Sequence, residues 1–186
     1  MGAIRELDPL TEFEIFTLVP RWFFKDSLSD RFVYHSYRTD IGLVQETPLR
    51  ADIQKTLYRL DHFLPFDSYE IAKLASILKQ RKCRLVLCDI APMGILAARE
   101  ARIPSVLVEN FTWDWIYEEY LKEEPRMGNH IPYLRRLFDM ADVHIQTEPV
   151  CHRSGADLTA PPASRKPINL SLMRCRSSGE ISCHCL

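Results

Sequence analysis

The sequence predicts an α/β domain built on a parallel sheet, and three observations carry that expectation. Short apolar, β-branched runs alternate with helical stripes between residues 84 and 147. The crossovers between these runs are long enough for a helix, as parallel strands require. The composition, 46% hydrophobic and 26% charged over 186 residues, can build a core and does not fit wholesale disorder.

The elements follow in chain order. Residues 12–19 (EFEIFTLV) are aromatic and β-branched, stop at Pro20, and read as a buried strand; residues 32–37 are a second. Leu49, Ile53, Leu57, Leu60 and Leu64 recur at helical spacing and place one helix over 49–64, broken by Pro65. Ile71, Leu74, Ala75 and Leu78 mark the next, which ends in the basic run 79–84. Residues 84–90 (RLVLCDI) form a strand, Pro92 opens a helix running to about Arg102, and residues 105–109 (SVLVE) form another strand. Trp113, Ile116, Tyr117, Tyr120 and Leu121 make an apolar stripe, with Thr112 placed to cap it and Asp114 near its positive end. Residues 123–128 read as a loop; Ile131, Leu134, Phe138 and Ala141 define the last helix, and residues 143–147 the last strand. Beyond Pro149 the character changes to a loop-forming stretch around 160–164, and residues 169–186 show neither period.

Several classes are excluded or disfavoured. The 24 basic side chains against 25 acidic ones give a net charge of -1 and no general attraction to nucleic acid or anionic lipid. The six glycines stand at least 24 positions apart, so no G-x-G-x-x-G turn and no Walker loop is present. No G-x-S-x-G elbow occurs. The N-terminus lacks the apolar core of a secretory signal, and no eighteen-residue apolar window exists, so a cytoplasmic protein without a transmembrane segment is expected. In that compartment Cys83 and Cys88 are reduced thiols bracketing a strand. The Cys183-His184-Cys185 triplet has the wrong spacing for zinc, so neither a metal nor a cofactor is expected.

Ligands of open parallel sheets bind beyond the carboxyl ends of the strands. Asp89, Glu109 with Asn110, and Glu148 each follow a strand there. Such a carboxylate can orient a sugar hydroxyl or take its proton, and it can equally cap a helix or satisfy loop amides. Phe111, Trp113 and Trp115 lie beside the same edge. Trp113 sits on the apolar stripe and reads as core; Trp115 lies off it and is the better platform for a ligand or partner.

Residues 89–117 (DIAPMGILAAREARIPSVLVENFTWDWIY) and 144–149 (HIQTEP) resemble the N-terminal domain of GT-B glycosyltransferases. The likeness is to bacterial glycosyltransferase-like proteins and to the segment ahead of the sugar kinase in plant arabinokinases. It extends more weakly back to Glu12. It implies a Rossmann-like parallel sheet flanked by helices that shapes the acceptor side. A second half, implied only in a full-length relative, binds the nucleotide-sugar donor. The strand ends and the aromatic cluster place an expected acceptor or ligand edge at Asp89, Asn110, Trp113, Asp114, Trp115 and Glu148, and the resemblance implies a carbohydrate or glycolipid acceptor.

Measured against that pattern, the first strand with its glycine-rich turn and the C-terminal domain are missing, so the chain reads as incomplete at both ends. The expected division is a partial domain over 1–149, a linker-like segment over 150–168, and an irregular tail over 169–186 whose composition fits translation out of frame. In the doubly wound order the first strand is central, so its loss leaves two neighbours unpaired or forces them to re-pair, and a marginally stable domain is expected. Three functional readings follow: an acceptor-side fragment inactive alone, a stand-alone Rossmann-like module that binds carbohydrate or protein, and a small enzyme using Asp89 and Glu148.

Overall fold

The computed structural model describes residues 1–29 and 31–162. The tail 169–186, with Cys175, Cys183, His184 and Cys185, lies outside the described residues, as does the end of the linker-like segment.

The chain opens with α1 (Gly2–Leu7), β1 (Phe13–Thr17), α2 (Arg21–Leu28) and β2 (Phe32–Ser36). The two strands pair in parallel, Phe13 opposite Phe32, over a small core of Ile15, Phe24, Leu28 and Phe32. Both strands fall where the apolar runs place them; α2 (Arg21–Leu28) has no clean stripe in the sequence to mark it. Next come β3 (Gln45–Thr47) and β4 (Arg50–Ala51), an antiparallel hairpin that overturns one expectation. Leu49 belongs to this turn and is 99% exposed, not the first residue of a helix. The helix α3 (Ile53–Phe63) cannot reach back to it, because the Asp52 side chain accepts from the Lys55 amide at 2.8 Å and caps the first turn.

The helix α4 (Ser68–Gln80) is capped in the same way, Asp67 accepting from the amides of Tyr69 and Glu70. The alternating part follows: β5 (Val86–Asp89), α5 (Pro92–Ala101), β6 (Ser105–Glu109), α6 (Trp113–Glu118), a 3-10 turn over Pro125–Asn129, α7 (Ile131–Phe138), β7 (Val143–Thr147) and β8 (Leu158–Ala160). The strands form one parallel sheet in the order β5-β6-β7-β8, flanked by helices, so the architecture is Rossmann-like α/β. Two details differ from expectation. Thr112 holds the N-cap position of α6 without a capping side-chain bond, and α6 stops at Glu118 before the stripe is complete. The linker-like stretch contributes β8, three residues too short to show a period.

The sheet has two unlike faces. Val86, Cys88, Ser105, Leu107, Glu109, His144 and Gln146 share one by register. There Cys88 and Leu107 join the main core with residues of α3, α4, α5 and α7. Burial alone pushes the Cys88 thiol up to about 12, which leaves it a packed sulfur rather than a nucleophile. Leu85 and Leu87, with Val106, Val108, Val143, Ile145 and Leu158, lie on the other face and belong to neither core cluster.

The two sheets share no ladder between β1 and β5. Side chains tie the first sheet to α4 instead. Glu14 binds His35 at 2.8 Å and accepts from Arg81, just beyond α4, while the Tyr37 hydroxyl donates to Glu70. A second polar joint ties α3 to the 3-10 turn, where Glu124 accepts from Gln54 at 2.7 Å and from Arg126. Arg126, then Gln54, hold the Glu124 carboxyl at about 2, below its ordinary 4.5. A depressed carboxylate contributes stability that is complete above the unfolded value and lost as pH falls through the folded one. Urea midpoints of the wild-type chain are therefore expected to fall between pH 4.5 and 2, and those of Glu124→Gln to fall less across that window. Equal slopes would remove this joint from the account.

Candidate functional site

Beside the carboxyl ends of β6 and β7, on the helical face, the structure leaves a groove of about 450 Å³. It is lined by the sheet residues Glu109, His144 and Gln146, by Asp114, Trp115 and Glu118 of α6, by Arg135 of α7, and by His152 in the loop after β7. Polar side chains reach this surface because residues 143–147 (VHIQT) alternate: Val143 and Ile145 point to the uncovered face, His144 and Gln146 to the helices.

The polar groups of the lining hold one another. The Glu109 carboxylate, 3% exposed, accepts from His144 Nε2 at 2.7 Å through Oε1. Asp114, 6% exposed, accepts from Arg135 Nε at 3.0 Å through Oδ2. Arg135 in turn donates to Glu118, and these two acids raise its guanidinium's proton affinity, Glu118 more than Asp114. Gln146 donates to the His152 carbonyl at 2.8 Å and accepts from the Ser154 amide, which ties the loop to β7. The His152 ring lies 6.0 Å from Trp115, nearly parallel to it.

Two atoms break this pattern of satisfaction. Glu109 Oε2 and Asp114 Oδ1 are buried and have no hydrogen-bond partner. Unpaired buried carboxylate oxygens are unfavourable by about 1–3 kcal/mol or more each. Both belong to residues that line the groove. Counted over the lining, four carboxyl groups (Glu109, Asp114, Glu118, Asp139) face one guanidinium (Arg135).

Of the residues singled out by sequence, Glu109, Phe111, Asp114 and Trp115 line this groove, and Asp89, Asn110, Trp113 and Glu148 do not. Trp113 packs against the main core, stacks on Tyr117 and approaches Gly42 closely. Asp89 falls on the opposite face of the sheet, near Asp40, and burial raises the proton affinity of both carboxyls. Ile90 beside it has φ 53°, a strained conformation for a β-branched residue. Asn110 supplies its carbonyl to the Cys151 amide. Glu148 accepts from the Val150 amide at 3.2 Å and pairs with Arg153, which is the loop-satisfying role a carboxylate can play there. Asp89 and Glu148 therefore do not share the groove. His144, Gln146, Arg135 and His152 were not singled out as ligand residues. The polar alternation in 143–147 was the available signal for the first two; Arg135 and His152 enter through tertiary packing.

Comparison with curated proteins finds L-arabinokinase of Arabidopsis thaliana, 33% identical over 94 residues, 50% of this chain and 9% of that protein. The chain thus spans under a tenth of that relative's length. No family model matches, and no solved structure matches significantly. The likeness is distant and ties half of the chain to part of a protein named for action on a sugar; it does not by itself place the chain among the GT-B glycosyltransferases.

Proposed function

We propose that this chain is the acceptor-side domain of a glycosyltransferase-like protein, a fragment without turnover of its own, and that the groove beside β6 and β7 takes a carbohydrate. The observation that carries the reading is the pair of buried, partnerless carboxylate oxygens on Glu109 and Asp114, beside the ring of Trp115. Preset acceptors next to an aromatic face suit a ring that carries hydroxyl donors. The likeness to part of arabinokinase supports the same ligand class. Absence of turnover follows from charge: a lining with four carboxyls and one guanidinium repels the diphosphate of a nucleotide sugar, and the chain has no glycine-rich loop to hold it.

Amide chemical shifts test this. Titration with a panel of monosaccharides, neutral and amino-substituted, is expected to move the resonances of Trp115, Gln146 and Ser154. A nucleotide sugar is expected to be neither bound in the groove nor hydrolysed or transferred. If no sugar moves those amides, or if the chain alone turns over a nucleotide sugar, the reading fails.

A further inference from the structure

We infer that the groove selects a cationic sugar, one with a protonated amine on a hydroxylated ring, over neutral and phosphorylated sugars; this rests on the carbohydrate reading above. A neutral sugar can donate hydroxyls to Glu109 Oε2 and Asp114 Oδ1, but it leaves the charge of the lining uncompensated. Arg135 is already shared between Asp114 and Glu118, and the His144 ring is engaged by Glu109. Burial makes the deficit matter, since both carboxylates are more than nine-tenths removed from solvent and cannot be screened as surface charges are.

An ammonium answers both needs at once. It carries three N–H donors and a positive charge, and hydrogen bonds between ionised groups are about twice as strong as neutral ones. The partly buried indole of Trp115, stacked beside the His152 ring, adds an aromatic group to the same lining, and aromatic faces attract cations. The ring hydroxyls remain for the second carboxylate oxygen. A phosphate on the same ring would meet the acidic lining and be rejected.

The test uses the full chain with glucosamine, glucose and glucose 6-phosphate, compared by amide shift titration at about pH 6, where an amine of this kind is protonated. Glucosamine is expected to bind about tenfold tighter than glucose, a difference of about 1.4 kcal/mol, and glucose 6-phosphate to leave the groove amides unmoved. Glu109→Gln and Asp114→Asn, each checked for a native thermal transition, are expected to bring glucosamine down to the level of glucose. Glucose binding as tightly as glucosamine, or binding of the phosphate, overturns the charge selection while the carbohydrate reading survives. Failure of all three to bind overturns both. The wild-type comparison needs neither variant to fold.

Discussion

Leu107→Ala is expected to lower the stability of the chain by about 2–5 kcal/mol, the range for truncating a fully buried leucine. Leu107 is 1% exposed, stands mid-strand between Cys88 and His144 in register, and faces the core that α5 and α7 close. The four-stranded sheet has few alternatives for that side chain, because its other face is not packed into either core cluster. A loss of this size is a large share of the stability of a domain this small. The control is Leu87→Ala, one strand over and on the opposite face, where the leucine is 49% exposed and the loss is expected to stay below about 1 kcal/mol. Urea denaturation followed by tryptophan fluorescence measures both. Equal losses would mean that both faces are buried in solution, and the assignment of faces would be wrong.

Gly94→Ala should be the second large effect, and its cause is one atom. A β-carbon at Gly94 in α5 would stand 2.8 Å from Cys88 Sγ, far inside contact distance, with Val86 behind it at 3.7 Å. Overpacking of this kind destabilises by about 1–3 kcal/mol, against a helix-propensity gain of up to about 1 kcal/mol for alanine. The net loss is expected to disappear when the sulfur is removed. In a Cys88→Ala background, Gly94→Ala fills the vacated space and becomes neutral or stabilising, so the double-mutant cycle shows a coupling of about 1–2 kcal/mol. Additive single effects would show that α5 shifts away from β5 instead of meeting it at this contact.

The same two positions show what a linear reading can and cannot reach. Helix and strand positions over 84–147 were legible because alternation and stripe are local consequences of burial, and the parallel pairing of these strands followed from the crossover lengths. The error at Leu49 has a local cause too: its spacing from Ile53 matches a helix, but the Asp52 cap starts the helix at Ile53, and Leu49 falls in the hairpin turn before it. The β8 strand carried no signal, since three residues cannot display a repeat. The contact between Gly94 and Cys88 is a matter of which helix turn rests on which strand residue.

For the site, the reading of Trp113 as core and Trp115 as the outward ring came from one helical stripe, and the packing of both agrees with it. Asp89 and Glu148 drew attention by following strands, yet a position after a strand does not say on which face, or in which loop, the carboxylate ends. Glu109 was visible as a polar end to an apolar strand, but its lone oxygen was not.

What the sequence by itself determined is the α/β alternation and the parallel pairing of its central strands, because these follow from the spacing of neighbouring residues and the length of the crossovers. Only the tertiary structure decided that Glu109 meets His144 and Asp114 meets Arg135, leaving one oxygen of each acid buried and without a partner in residues that line the groove. Those pairings join residues 35 and 21 positions apart, and strand register and helix packing, not local preference, bring them together.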